Sequence, residues 1–190
     1  MATFVALLRG INVGGNRKVP MADLRQLCVK TGFGDVVTYI QSGNVVFSAR
    51  GTATAAETKL ETALLAHFGF AVDVVVRTTA DWAAYEAGNP FADMPSSEAK
   101  LVHLLVSKGP PKPDAVAALR PRAANGERIE AAGDALWIHY PRGAGTTKLS
   151  PSLLDRAVGS PVTARNWRTV QEITKLLGGS GETRLQPPPK

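Results

Sequence analysis

The strongest constraint on the fold is an order of elements that the chain spells twice. Thr3–Leu8 is an apolar run of strand length, followed by a long Gly/Asn/Lys loop. Pro20 suits a first helical position, and Met21, Leu24, Leu27 and Cys28 recur at helical spacing up to Gly32. Val36–Ile40 and Val45–Phe47 flank Gln41-Ser42-Gly43-Asn44, a hairpin signal. Thr54 and Glu57 read as a capping box opening a helix that aligns Leu60, Leu64 and Phe68 and stops at Gly69. Val72–Val76 is a fourth strand. The order is βαββαβ, that of a ferredoxin-like unit.

A short helix over 79–88 and the Asn89-Pro90 break lead into the same order again. Leu101–Val106 is a strand and Pro113–Leu119 a short helix; Arg128–Ala131 and Leu136–Tyr140 pair across Ala132-Gly133-Asp134. Ser150-Pro151 caps a helix bearing Leu153, Leu154 and Val158, Val162–Ala164 is the closing strand, and a helix over 167–177 aligns Val170, Ile173 and Leu177. Arg50-Gly51 and Arg142-Gly143 each follow a third strand, and Arg77 and Arg165 each end a fourth, with Trp82 and Trp167 in the ensuing helices. An internal duplication accounts for these parallels; chance is the alternative. The expected fold is α+β, two ferredoxin-like subdomains packed together, each followed by an extra helix. Their spans are 1–90 and 91–178, with a mobile Gly/Pro-rich tail over 179–190.

Strands such as Val5–Leu8 and Val74–Val76 are apolar on both faces. Helices cover one face of such a sheet, so the other needs a cover too. Either the halves pack on each other or the chain forms a homodimer.

With 44% hydrophobic and 20% charged residues the composition is that of an ordinary soluble protein. No apolar stretch approaches the ~20 residues of a membrane span, so no membrane partner is expected. Met1–Leu8 lacks a basic leader and Arg9 interrupts it. Cys28 is the single cysteine, which excludes an intrachain disulfide and a cysteine metal cluster. A cytoplasmic location follows. His67, His103 and His139 show no metal-ligand spacing, and no metal site or cofactor is implied. His139 reads as a half-exposed strand histidine.

The net charge of +6 is unevenly placed. Residues 1–20 carry Arg9, Arg17 and Lys18 without an acid, and residues 141–175 carry six cations against Asp155 and Glu172. Either this serves solubility, or it steers an anionic partner.

Three stretches give that charge a setting. In Arg165-Asn166-Trp167-Arg168-Thr169-Val170, Asn166 is a good N-cap and two arginines flank a helix N-terminus, where the peptide dipoles disfavour cations by ~0.3–1 kcal/mol each. An anion between Arg165 and Arg168 would compensate; acids from elsewhere in the chain are the alternative. Trp167 serves there as a stacking platform or packs between the halves. The loop after Leu8 is eleven residues, Arg9 to Val19, and such lengths are often functional. Gly10, Gly14 and Gly15 permit inward-turned backbone N–H groups, with Asn12, Asn16, Arg17 and Lys18 as further donors and Arg9 at the loop's start; a demanding turn whose glycines serve only backbone geometry is the alternative. It is neither a P-loop nor a dinucleotide fingerprint. Gln41-Ser42-Gly43-Asn44 is a tight turn or offers the amide of Asn44 and the hydroxyl of Ser42 to a ligand. Lys148, beside Thr146 and Thr147 in a Gly-rich loop, could face the same cleft.

Those three stretches, Arg9-Gly10-Ile11-Asn12-Val13-Gly14-Gly15-Asn16, Gln41-Ser42-Gly43-Asn44-Val45 and Arg165–Val170, together resemble an uncharacterised bacterial family, domain of unknown function sixteen ninety-seven. The resemblance runs to about residue 178 and implies two ferredoxin-like subdomains. It implies no activity, cofactor or catalytic residue. The function expected from the residues is a cytoplasmic binding protein for a phosphate-bearing ligand: nucleotide, phosphometabolite or RNA. An enzyme acting on a phosphorylated substrate and a dimeric scaffold are the alternatives.

Overall fold

The computed structural model describes residues 1–178. The tail expected over 179–190 lies outside the described residues. The first half runs β1 (Ala2–Leu8), α1 (Met21–Lys30), β2 (Gly34–Tyr39), β3 (Asn44–Ala49), α2 (Ala53–Phe68), β4 (Val74–Thr78) and α3 (Thr79–Ala87). The second runs β5 (Val102–Ser107), α4 (Ala115–Leu119), β6 (Arg128–Ala132), β7 (Ala135–His139), α5 (Pro151–Val158), β8 (Val162–Asn166) and α6 (Trp167–Gly178). Two four-stranded antiparallel sheets result, ordered β2-β3-β1-β4 and β6-β7-β5-β8, so the βαββαβ order recurs with the same strand order.

Local chemistry sets the ends of the helices. Thr52, not Thr54, caps α2, its hydroxyl accepting from Ala55 N at 3.2 Å. Glu57 is released from the expected capping box and instead accepts from the backbone N–H of Val76 at 3.0 Å, tying helix to strand. Gly69 closes α2 at φ +77°, a conformation a side chain would oppose. Thr78 and Asp81 form a true capping box on α3, Ser150 caps α5, and the Asn166 side chain accepts from Thr169 N at 2.9 Å to cap α6 as expected.

Side chains alternate across each strand, which divides the interior into three layers. Phe4, Ala6 and Leu8 point from β1 toward α1 and α2, where Leu24, Cys28, Leu60 and Leu64 complete an outer core. Leu105, Leu136 and Ile138 do the same beneath α4 and α5. The opposite faces share one core: Val5, Leu7, Val46 and Val75 from the first sheet, Leu104, Val106 and Trp137 from the second, Trp82 and Tyr85 from α3, Val170 and Ile173 from α6. Helix α6 touches β3 as well as β5 and β8, and it packs on α3. The two inner faces therefore cover one another within a single chain, the first of the two alternatives posed by strands apolar on both sides.

Candidate functional site

The three stretches singled out in sequence meet at Arg165. Its side chain leaves the second half at β8 and enters the first. Nε donates to Asn44 Oδ1; Nη1 donates to Thr163 Oγ1 and Ala164 O, both at 2.8 Å. Nη2 donates to Leu8 O at 2.8 Å, Ser42 O at 3.0 Å and Gly43 O at 3.3 Å. A guanidinium has five N–H groups, and all five are engaged. Arg165 is buried, and burial lowers its pKa to about 10, so it remains a cation at neutral pH. Its partners are carbonyl, amide and hydroxyl dipoles with no carboxylate among them. That arrangement offsets the cost of withdrawing a cation from water.

The acceptors are held in place by their own geometry. Asn44 is buried, its amide donating to Tyr39 O at 2.9 Å and Ser42 Oγ at 3.1 Å, which leaves Oδ1 for Arg165. Gly43 sits at φ +77°, and a Cβ there would lie 2.7 Å from Ile11 Cδ1 and 2.8 Å from Leu8 Cβ. Only glycine lets the hairpin close on β1, where Leu8 N donates to Gly43 O at 2.8 Å. Asn12, itself at φ +55°, donates to Gln41 O at 2.8 Å and Val19 O at 3.0 Å and accepts from Val19 N at 2.8 Å. It binds the base of the long loop to the hairpin tip.

The other half repeats this device in reverse. Arg77, at the matching place in β4, donates to Ser107 O at the end of β5 and to Tyr85 Oη at 2.7 Å, with Asp134 of the β6–β7 turn 3.7 Å away. Arg9, just after β1, meets Asp155 of α5 at 2.7 Å and Asp73 at 3.2 Å. Lys108, just after β5, meets Glu61 of α2 at 2.5 Å. Glu61 also accepts from Val74 N at 2.8 Å, and Asp155 from Val162 N at 2.9 Å, each at the start of a fourth strand. Every half thus sends an arginine and a second cation into the other. Sequence reasoning noticed the matching positions of Arg77 and Arg165 but not their partners, which lie more than a hundred residues off for Arg165.

The expected ligand contacts accordingly divide. Arg165 has no N–H left for a guest, and Arg9 is paired with two carboxylates. Asn166 and Thr169 are joined in the helix cap, with Thr169 buried. Trp167 is half-buried against the shared core and sets its edge on Trp137 of its own half, ring centroids 5.6 Å apart. Ser42 and Asn44 serve Arg165. The loop is not an inward cradle. Asn12 N donates to Arg17 O and Asn16 N to Val13 O, making a small hairpin whose turn is Gly14 and Gly15 at φ +59° and +78°. It projects into solvent: Val13, Gly14, Gly15, Asn16, Arg17 and Lys18 are exposed. Lys18, Arg17, Arg168 and Lys148 are exposed and make no ion pair among the described residues, and no hydrogen bond links Lys148 to the Arg165 junction.

A further correction concerns His139, while Cys28 lies in the outer core. His139 is buried, not half-exposed, with Nε2 3.0 Å from Glu98 Oε2. Burial pushes the Cys28 thiol up to about 12, so it is inert as a nucleophile at neutral pH. Among the described residues no group of three or more His, Cys, Asp or Glu is placed to hold a metal, and no helix is long and apolar enough to cross a membrane.

The model of a protein family described as a protein of unknown function, DUF1697, matches residues 1–137. That span holds the first two stretches and ends before the third. A solved structure titled as that of the conserved bacterial protein SP0830 from Streptococcus pneumoniae is similar over 93% of this chain and 98% of its own, at 25% identity and a TM-score of 0.74. Comparison with curated proteins finds no match.

Proposed function

Since the chain belongs to the DUF1697 family of unknown function, we propose its activity from its own geometry: it binds a phosphate-bearing polyanion through the hairpin Val13–Lys18. The observation that carries this reading is a solvent-projecting loop whose cations, Arg17 and Lys18, make no ion pair among the described residues, on a base held by Asn12 and, through the adjoining hairpin, by Arg165. Arg168 adds a third exposed cation on the first turn of α6, which leaves the same junction. The loop is convex, whereas a small ligand is normally enclosed in a cleft. An extended phosphate backbone, nucleic acid above all, suits it better, with contacts that position without reading sequence. Each half is read as ferredoxin-like, with the two subdomains over 1–90 and 91–178, and the protein as cytoplasmic, in keeping with a lone buried thiol.

Fluorescence anisotropy with labelled single- and double-stranded oligonucleotides tests this. Arg17→Ala with Lys18→Ala is expected to weaken binding to all sequences alike and to lower the slope of log affinity against log salt by about 2. Unchanged affinity and slope in that variant would refute the reading.

A further inference from the structure

A cleft of about 360 Å³ opens at the other end of the first sheet, independent of the loop surface. The register places it: Ala2 pairs with Ala49 at this end, Leu7 with Asn44 at the Arg165 end, a separation of roughly 17 Å along the strands. Its floor is Phe33, stacked on Phe47 with centroids 4.3 Å apart, beside Ala49 and Ala56. Its charged walls are Arg50 and Lys59, and no carboxylate lines it. Both side chains are exposed and neither makes an ion pair among the described residues. Lys59 Nζ stands 5.7 Å from the centre of the Phe33 ring and against Gly32, which holds φ +88°. A cation over an aromatic face gains modestly from the ring and retains its donors for an anion.

We propose that this cleft binds a small phosphomonoester, its phosphate between Arg50 and Lys59 and its apolar part on the alanines beside Phe33. The volume lies at the small end of the ~300–1,000 Å³ range of ligand sites. Two cations without a carboxylate select a dianion over a neutral molecule. The apolar floor favours an ester over the free inorganic ion. Arg50-Gly51, marked in sequence only as one of a repeated pair, thereby acquires a role.

The test is an amide NMR titration of the full chain with inorganic phosphate and with phenyl phosphate. Phenyl phosphate is expected to give saturable shifts at Gly32, Phe33 and Gly51, with tighter binding than inorganic phosphate. Arg50→Gln with Lys59→Gln is expected to lower its affinity by about tenfold or more, since each charge-assisted contact is stronger than a neutral one. Both residues are exposed, so unshifted resonances elsewhere will verify the fold. Arg17→Ala with Lys18→Ala should leave these shifts intact, which separates this site from the polyanion surface. Absence of saturable shifts up to about 10 mM, equal affinity for the two probes, or undiminished binding in the double variant would each overturn the assignment.

Discussion

Replacing Arg165 by alanine separates a clasp from a ligand contact. The change removes the donors serving Asn44 Oδ1, Leu8 O, Ser42 O and Gly43 O. A buried acceptor left without a partner costs about 1–3 kcal/mol. These losses do not add fully: Gly43 O keeps the Leu8 N–H, Ser42 is an exposed residue, and removing the guanidinium also relieves its own desolvation. The net expectation is a destabilisation of about 3–5 kcal/mol, as for breaking a buried charged network. That is a large share of the roughly 5–15 kcal/mol available to a domain. Urea unfolding followed by tryptophan fluorescence reads it directly, because Trp82 and Trp137 are fully buried in the shared core. With a urea slope near 2 kcal/mol/M, the midpoint should fall by about 1.5–2.5 M. Arg165→Lys keeps the charge but loses the fork, and should fall between wild type and alanine. Asn44→Ala combined with Arg165→Ala should cost less than the sum of the two, as expected of directly bonded partners. A midpoint shift under about 0.3 M for Arg165→Ala would refute the clasp and return Arg165 to the list of ligand contacts.

The two hairpin glycines give a matched comparison. Gly43→Ala meets both a left-handed backbone and atoms of Ile11 and Leu8 inside 3 Å, and should cost about 2–4 kcal/mol in chemical denaturation; Gly133→Ala, at φ +59° with open space around it, should cost only about 1 kcal/mol. Cys28 should react with a thiol reagent at pH 8 about a thousandfold more slowly than a free thiol, and at full rate in urea, because only opening of the chain exposes it. Burial lowers the pKa of His103, against an opposing hydrogen bond to Leu101 O. The folded value lies below the unfolded one near 6.5, so the unfolded chain binds more protons in that window. Stability should therefore fall as pH drops below about 6.5, and His103→Gln should flatten that part of the profile.

Much of the architecture was legible in the chain itself. Apolar runs, turn residues and caps are local signals, and they placed the eight strands and six α-helices of the described residues to within a few residues. The two-faced apolar strands even required a second cover. Capping was legible where one side chain serves one turn, as with Asn166 and Ser150. It failed at Thr54, because Glu57 found a partner in a neighbouring strand.

Cations were the opposite case. Arg9 and Arg165 look uncompensated in sequence, and an absent anion was a reasonable inference from the dipole of one helix. Tertiary structure decided otherwise, because the compensation comes from the opposite half: Asp155 for Arg9, and for Arg165 the carbonyls of a strand end and a hairpin. A carbonyl acceptor has no letter in the sequence, since every residue carries one. So the elements and their repeated order were set by the chain, through short-range periodicity and turn chemistry. Which charges are spent inside and which remain for a partner, Arg17, Lys18, Arg50 and Lys59 among them, depended on contacts that only the folded arrangement of the two halves creates.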